Sequence, residues 1–368
     1  MAGERRKKLI LATLSVVLTL LLAEAALRIL GIGAAGRGSA WFAGGNHPCF
    51  LFKPDPASGY TLRPGFRGVE ISPAGEFQVT AAIDGRGLRD HPHSAPPRPV
   101  VLALGDSMTF GEGVPVGDAY PALLEKALGV RVYNGGVPGY GSPQMLGRLE
   151  RLQPVLRPDA VLVTLSPYWD ARRGVTPFVY KDGYIVAQSY LDRLHLINGN
   201  LYHAETRLPV LGPLTAQAKG HSNLMRLALP PLFERVHRLQ EKEGASGGVV
   251  ERVDPEPTLR TVVEAKRRAE QAGAGFLLIL LDSDTRGDEY RQAHLDLTQE
   301  LRRRGFPYVD LQELLPGTDW PRLRYPWDAH WTAEGHRVVA AALASPVRDL
   351  IGRRPGSRPP SPSSPSRP

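Results

Sequence analysis

The sequence predicts an α/β protein built on a central parallel sheet, preceded by an N-terminal transmembrane helix and a small β-rich extension. Three observations carry that prediction. Short apolar runs of strand length alternate with helix-length stretches between residues 98 and 350, the first such run stops abruptly at Gly105-Asp106-Ser107, and an apolar stretch of bilayer length opens the chain. Alternating β and α elements imply a parallel sheet covered by helices on both faces.

The first region is 1–35. Arg5-Arg6-Lys7-Lys8 precede an apolar run from Leu9 to Leu22 broken only by Thr and Ser, and the helical pattern continues to Leu30. That length spans a bilayer. Glu24 and Arg28 stand four apart in the order that favours a helical pair, at the outer interface. The basic cluster ahead of the run puts the amino terminus in the cytoplasm and everything after residue 35 outside it, as a single-pass membrane protein. Ala23-Glu24-Ala25 also fits a small-x-small cleavage site, so secretion after signal cleavage is the alternative. The amphipathic helix running past that site favours the anchor.

Residues 36–97 are rich in Gly and Pro, with short alternating pieces such as Phe77-Gln78-Val79-Thr80-Ala81, the pattern of turns and short strands. Gly87-Leu88-Arg89-Asp90 reads as a turn without chemistry. The main region, 98–350, has strand patterns at Val100–Leu104, Val130–Tyr133, Ala160–Leu165, Phe276–Leu281 and Tyr308–Leu311, and helix patterns at 119–128, 142–153, 258–272, 288–304 and 333–344. An insertion at about 171–257 breaks the rhythm with aromatic-rich loops around Phe178–Tyr190 and a helical stretch around Leu224–Glu243; it forms a substrate wall or extends the core. The Pro/Ser/Arg tail, 351–368, cannot bury a core and reads as disordered.

The formal charge of +8 does not point to nucleic acid, because Arg5, Arg6, Lys7, Lys8, Arg353, Arg354, Arg358 and Arg367 supply it from the two ends and leave the middle close to neutral. Cys49 is the single cysteine, which forbids an internal disulfide and speaks against a cysteine-based metal site. No pattern calls for a metal or cofactor.

Ser107 ends a buried parallel strand, where open α/β sheets place their ligands. Gly-Asp-Ser is also an ordinary turn tripeptide, so the case rests on whether the chain supplies a base, an orienting acid and an oxyanion hole. Tyr325-Pro326-Trp327-Asp328-Ala329-His330-Trp331-Thr332 lies just before a helix that Thr332 can cap. His330 there can accept a serine proton at neutral pH, and Asp328 can fix its tautomer. His336 falls inside the helix and reads as a packing or surface residue. Backbone donors for an oxyanion come from the Ser107 amide and from the glycine-rich loop Asn134-Gly135-Gly136-Val137-Pro138-Gly139 after the second strand.

These residues resemble the SGNH/GDSL hydrolase superfamily, particularly its membrane-anchored bacterial members. The likeness covers roughly 98–345 and rests on Gly105-Asp106-Ser107 with Thr109-Phe110-Gly111-Glu112-Gly113, and on Asp328-x-His330-Trp331 followed by Gly335-His336. It implies a flavodoxin-like three-layer α/β/α fold, Ser107 as nucleophile, His330 as base and acid, Asp328 as its orienter, and Gly139 as second oxyanion donor. One block departs: Ser166-Pro167-Tyr168-Trp169-Asp170 puts Trp169 where the family has an Asn donor. Either the Trp169 indole N–H replaces that donor, or the site is weakened or inactive; Asp170 matches the block's final Asp. Tyr168 and Trp331 are the candidate substrate contacts. The expected activity is that of a serine esterase or deacylase acting on an acyl-ester small molecule, lipid or O-acylated glycan. Alternatives are an O-acyltransferase for surface polysaccharide and a catalytically inactive carbohydrate-binding or scaffold protein of the same fold.

Overall fold

The computed structural model describes residues 2–30, 51–72, 76–89, 98–173, 178–181, 184–188, 194–197, 200–203, 208–225, 227–229, 232, 254–281, 287–326 and 328–352. Cys49, Asp90, the expected tail from 353 onward and the expected helix beyond Leu232 lie outside them.

Helix α1 (Ala2–Ile29) is exposed along its apolar run. Two antiparallel hairpins follow, β1 (Phe52–Asp55) with β2 (Gly59–Leu62) and β3 (Arg67–Ile71) with β4 (Gln78–Ala82). The sheet then begins with β5 (Val100–Leu104), and β6 (Arg131–Asn134) and β7 (Ala160–Leu165) flank it. Between these strands run the single-turn helix α2 (Ser107–Phe110), α3 (Tyr120–Leu128) and α4 (Ser142–Leu156), and α5 (Pro167–Arg173) follows β7. The insertion contributes hairpins β8 (Phe178–Lys181) with β9 (Tyr184–Ala187) and β10 (Leu194–Ile197) with β11 (Asn200–His203), then α6 (Leu211–His221). The sheet resumes with α7 (Glu256–Gln271), β12 (Gly275–Leu280), α8 (Asp288–Arg303), β13 (Tyr308–Asp310) and, after one further helical turn, α9 (Leu311–Leu314), and closes with α10 (Ala333–Gly352).

The five strands are parallel in the order β13-β12-β7-β5-β6, the three-layer α/β/α arrangement expected. Successive side chains on a strand face opposite ways, and each strand splits its residues accordingly between two cores. Leu102, Leu104, Val161, Val163, Leu278 and Leu280 pack with Leu149 and Leu152 of α4, Val262 of α7 and Leu297 of α8. Val101, Ala103, Leu162 and Ile279 face the other way, onto Leu124 of α3 and Val339 and Leu343 of α10. Burial on both faces is why these strands read as continuous apolar runs rather than alternating ones. The two N-terminal hairpins add Phe52, Tyr60, Leu62 and Ala81 to the first core.

One expectation is corrected. Residues 178–187 were expected as aromatic-rich loops, yet Phe178–Lys181 pairs with Tyr184–Ala187 as an antiparallel hairpin. Aromatic and β-branched residues favour strands, and the Asp182-Gly183 step between them is a two-residue hairpin sequence.

Candidate active site

Strand β5 delivers Ser107 at its carboxyl end. Asp106 caps the turn that follows, its Oδ1 accepting from Met108 N at 3.0 Å, so Ser107 stands at the first position of α2. Residues of the first turn have no intrahelical acceptor for their N–H groups, and the Ser107 amide has no hydrogen bond among the described residues. Gly136 lets the loop after β6 come against this turn, for a Cβ there would lie 2.3 Å from Phe110 N. Three residues on, Gly139 adopts φ +79°, a left-handed conformation glycine takes without penalty, and its amide also has no hydrogen bond among the described residues.

His330 lies in the loop before α10, which Thr332 caps by accepting from Gly335 N at 3.3 Å. Its Nε2 is 2.7 Å from Ser107 Oγ, and its Nδ1 is hydrogen-bonded to Asp328 Oδ1. A neutral imidazole donating from Nδ1 to the carboxylate leaves Nε2 as acceptor for the serine hydroxyl. The Asp328 amide donates to Glu76 Oε2 at 2.9 Å, and Tyr325, whose N donates to His330 O, sends its hydroxyl to Gly113 O at 2.9 Å. The two distant stretches are thereby tied together.

Sequence reasoning missed the supports of this arrangement. Arg89, from the turn to which no chemistry was assigned, is buried and donates to the carbonyls of Phe110, Gly111 and Val114, the last at 2.7 Å. Glu70 accepts from Gly113 N at 2.9 Å. Buried Glu112 places Oε2 3.6 Å from His330 Nε2 with no hydrogen-bond partner. Burial holds the Glu112 carboxyl well above the usual carboxylate range, reinforced by the charge of Glu70, and burial pushes Glu70 up to about 8. Burial also lowers Arg89 to about 10, against the opposing pull of Glu70 and Glu112. Glu112, Asp328 and His330 bring ligand-type atoms within 4.8 Å of one another. In this arrangement Asp328 and Ser107 already occupy the two imidazole nitrogens.

Trp331 corrects the sequence reading. It is fully buried, stacked on Trp320 and meeting His336 edge-on, so it is a core residue and does not contact substrate. His336 is the packing residue expected: its Nδ1 accepts from Tyr120 N at 3.2 Å, and burial lowers it to about 3. Tyr168 and Trp169 stand on α5, which starts directly after β7. Trp169 is 40 % exposed, and with Tyr168 and Tyr290 it forms an aromatic cluster with ring centroids 4.0–6.1 Å apart. The Arg173 guanidinium carbon lies 5.6 Å from the Trp169 ring, while its Nη1 donates to Asp106 Oδ2 at 2.9 Å and to Tyr140 O at 3.0 Å. Arg173 thereby links the Trp169 ring to the residue before Ser107 and to the loop that carries Gly139. Asp170, fully buried, accepts from Ser166 N at 2.7 Å and holds the start of α5.

Residues 103–228, which include the Ser107 turn and the Gly139 loop, match the model of the GDSL-like lipase/acylhydrolase family. The match covers about a third of the chain, and over that stretch the chain is similar to the family. An arylesterase of Vibrio mimicus is 37 % identical over 84 residues, 22 % of this chain and 42 % of the relative, so the chain spans about two fifths of that protein's length. Among solved structures, a catalytic mutant of an acetylxylan esterase from Geobacillus stearothermophilus is 16 % identical with a TM-score of 0.37, over 71 % of this chain and 97 % of the other. An α/β hydrolase enzyme from the metagenome of Lake Arreo, Spain, is 17 % identical with a TM-score of 0.38, over 68 % and 95 %.

Proposed function

We propose that this protein is a GDSL-type serine esterase or deacylase that works through an acyl-Ser107 intermediate. The observation that carries the reading is the hydrogen-bonded line Ser107–His330–Asp328, set beside two backbone amides, of Ser107 and Gly139, that have no acceptor among the described residues. Ser107 Oγ attacks the ester carbonyl carbon as its proton passes to His330 Nε2. The carbonyl π electrons move onto oxygen, where the two amides stabilise them, an effect of roughly 3–4 kcal/mol per donor in such sites. Asp328 stabilises the imidazolium. Collapse of the tetrahedral species breaks the C–O bond, and the alcohol leaves with the Nε2 proton. Water then attacks the acyl-enzyme by the same steps in reverse roles.

Burial raises the Glu112 carboxyl well above the usual carboxylate range, and Asp328, hydrogen-bonded to Nδ1, orients the imidazole. The half-exposed cluster of Tyr168, Trp169 and Tyr290 makes the rim a face for the acyl or alcohol portion, whether small ester, lipid or O-acylated glycan. The apolar stretch of α1, behind its basic cluster, holds the protein in the cytoplasmic membrane with the site outside the cytoplasm.

Purified full-length chain and its Ser107→Ala variant, given aryl esters from acetyl to long-chain, test the reading by release of the aryl alcohol. Hydrolysis by the native chain and none by the variant supports it. Equal rates in both contradict it, and release that accelerates only with an added glycan acceptor marks acyl transfer in place of hydrolysis.

A further inference from the structure

Helix α6 is built inside out. It seats itself on the β10–β11 hairpin through small and polar residues, Gly212, Thr215, Ala216, Lys219 and Gly220, which are buried. A Cβ at Gly220 would lie 2.5 Å from Ile197 Cγ2. Its large apolar residues point the other way: Val210 is 73 % exposed and Leu214 57 %, and Leu208, Leu211, Leu227 and Leu232 are exposed in the same segment. Apolar surface of this kind on one stretch of chain marks a contact with a protein or a lipid.

What covers it follows from where it is fastened. The apolar run of α1 ends at Leu22, and two residues later Glu24 accepts from Ser222 Oγ at 2.9 Å, Asn223 N at 3.1 Å and Leu224 N at 2.9 Å. Arg28 donates to His221 O at 2.7 Å. The carboxyl end of α6 is thus pinned to the turn of α1 that emerges from the apolar run. At about 1.5 Å per residue, Leu214 lies about 10 Å along α6 from His221, a short reach beside the roughly 30 Å hydrocarbon core that α1 is long enough to cross. From residue 206 to 233 the sequence contains no Asp or Glu, only Arg207, Lys219 and Arg226 as charges, a composition suited to anionic headgroups.

We propose that the segment 208–232 is a second lipid-contacting surface, on which Leu208, Val210, Leu211 and Leu214 enter the outer leaflet of the bilayer beside the end of α1. The proposal rests on α1 crossing that bilayer. It makes the protein one that is both spanned and seated, its catalytic body held at a fixed tilt by the Glu24 and Arg28 contacts rather than swinging on a tether.

Nitroxide labels on full-length protein in vesicles of phosphatidylcholine and phosphatidylglycerol test it. The Cys49→Ser background would carry Leu214→Cys as the probe, Leu14→Cys as a report on the anchor, and Arg337→Cys as a surface reference. The expected result is that labels at 14 and 214 relax with oxygen rather than with a water-soluble nickel chelate, while the label at 337 responds to nickel. A lipid-buried label at 14 with a nickel-accessible label at 214 overturns this proposal and leaves the anchor standing. Nickel access at both 14 and 214 overturns the anchor and the proposal together.

Discussion

Glu112 Oε2 lies 3.6 Å from His330 Nε2, the nitrogen that bonds Ser107 Oγ. A carboxylate there would favour a proton on that nitrogen and so take it away as acceptor for the serine hydroxyl, and burial raises the Glu112 carboxyl well above the usual carboxylate range. Glu112→Gln preserves a neutral group of the same shape. Its turnover at neutral pH is expected within about fivefold of native, under ~1 kcal/mol in the barrier. Ionisation of a group whose pKa is raised takes hold as pH climbs, so the native enzyme should lose activity on the alkaline side and the Gln variant should lose less. Superimposable pH–rate profiles contradict this role.

Asp328→Asn keeps the side-chain shape and removes the charge that stabilises the imidazolium. Turnover should fall on the order of a thousandfold or more with KM little changed. A fall of less than tenfold, measured on folded protein, removes Asp328 from the proposed machinery.

The sequence likeness expects an amide donor at the position of Trp169, whose ring lies half-exposed among Tyr168, Tyr290 and Arg173. Trp169→Phe keeps the aromatic face and deletes the indole N–H. Turnover should stay within about fivefold, and Trp169→Ala should raise KM. A drop of a hundredfold in the Phe variant would instead assign the indole to the oxyanion hole, since that is the scale of losing one such donor.

Asp170 is pushed by burial, with the nearby Asp106 charge reinforcing it, up to about 8 from the ordinary 3.8. The folded state therefore holds a proton that the unfolded state releases near pH 4. Its contribution to stability is complete below about pH 4 and is lost as pH rises toward 8. Asp170→Asn keeps the acceptor for Ser166 N and cannot ionise, so thermal unfolding across pH 5–9 should show a shallower decline in the variant than in the native protein. Parallel declines contradict the assignment.

The sheet was legible because strands buried on both faces are continuous apolar runs, and Val100–Leu104 and Ala160–Leu165 stand in the fold with the limits their sequences mark. Ser107, His330 and Asp328 were legible because each sits at an element end beside turn or cap residues. Arg89, Glu70 and Glu112 were not. Their roles depend on carbonyls and carboxyls brought together from 70 to 114 by a hairpin's packing, and no local pattern marks a buried arginine that holds a loop. Trp331 misled for the opposite reason: adjacency to His330 suggested substrate, while the start of α10 turns the indole into the core against Trp320. The hairpins at 178–203 had a readable signal, the Asp182-Gly183 and Asn198-Gly199 steps, which the surrounding aromatic residues obscured.

The account turns on Ser107 being a nucleophile activated by His330. A fluorophosphonate probe applied to the folded full-length chain, with peptide mass spectrometry of the adduct, reads that directly. The account predicts one phosphonyl group on Ser107, labelling abolished in Ser107→Ala and slowed at least a hundredfold in His330→Ala. Folded native protein that stays unlabelled, or labelling at Ser107 that is indifferent to His330, contradicts it.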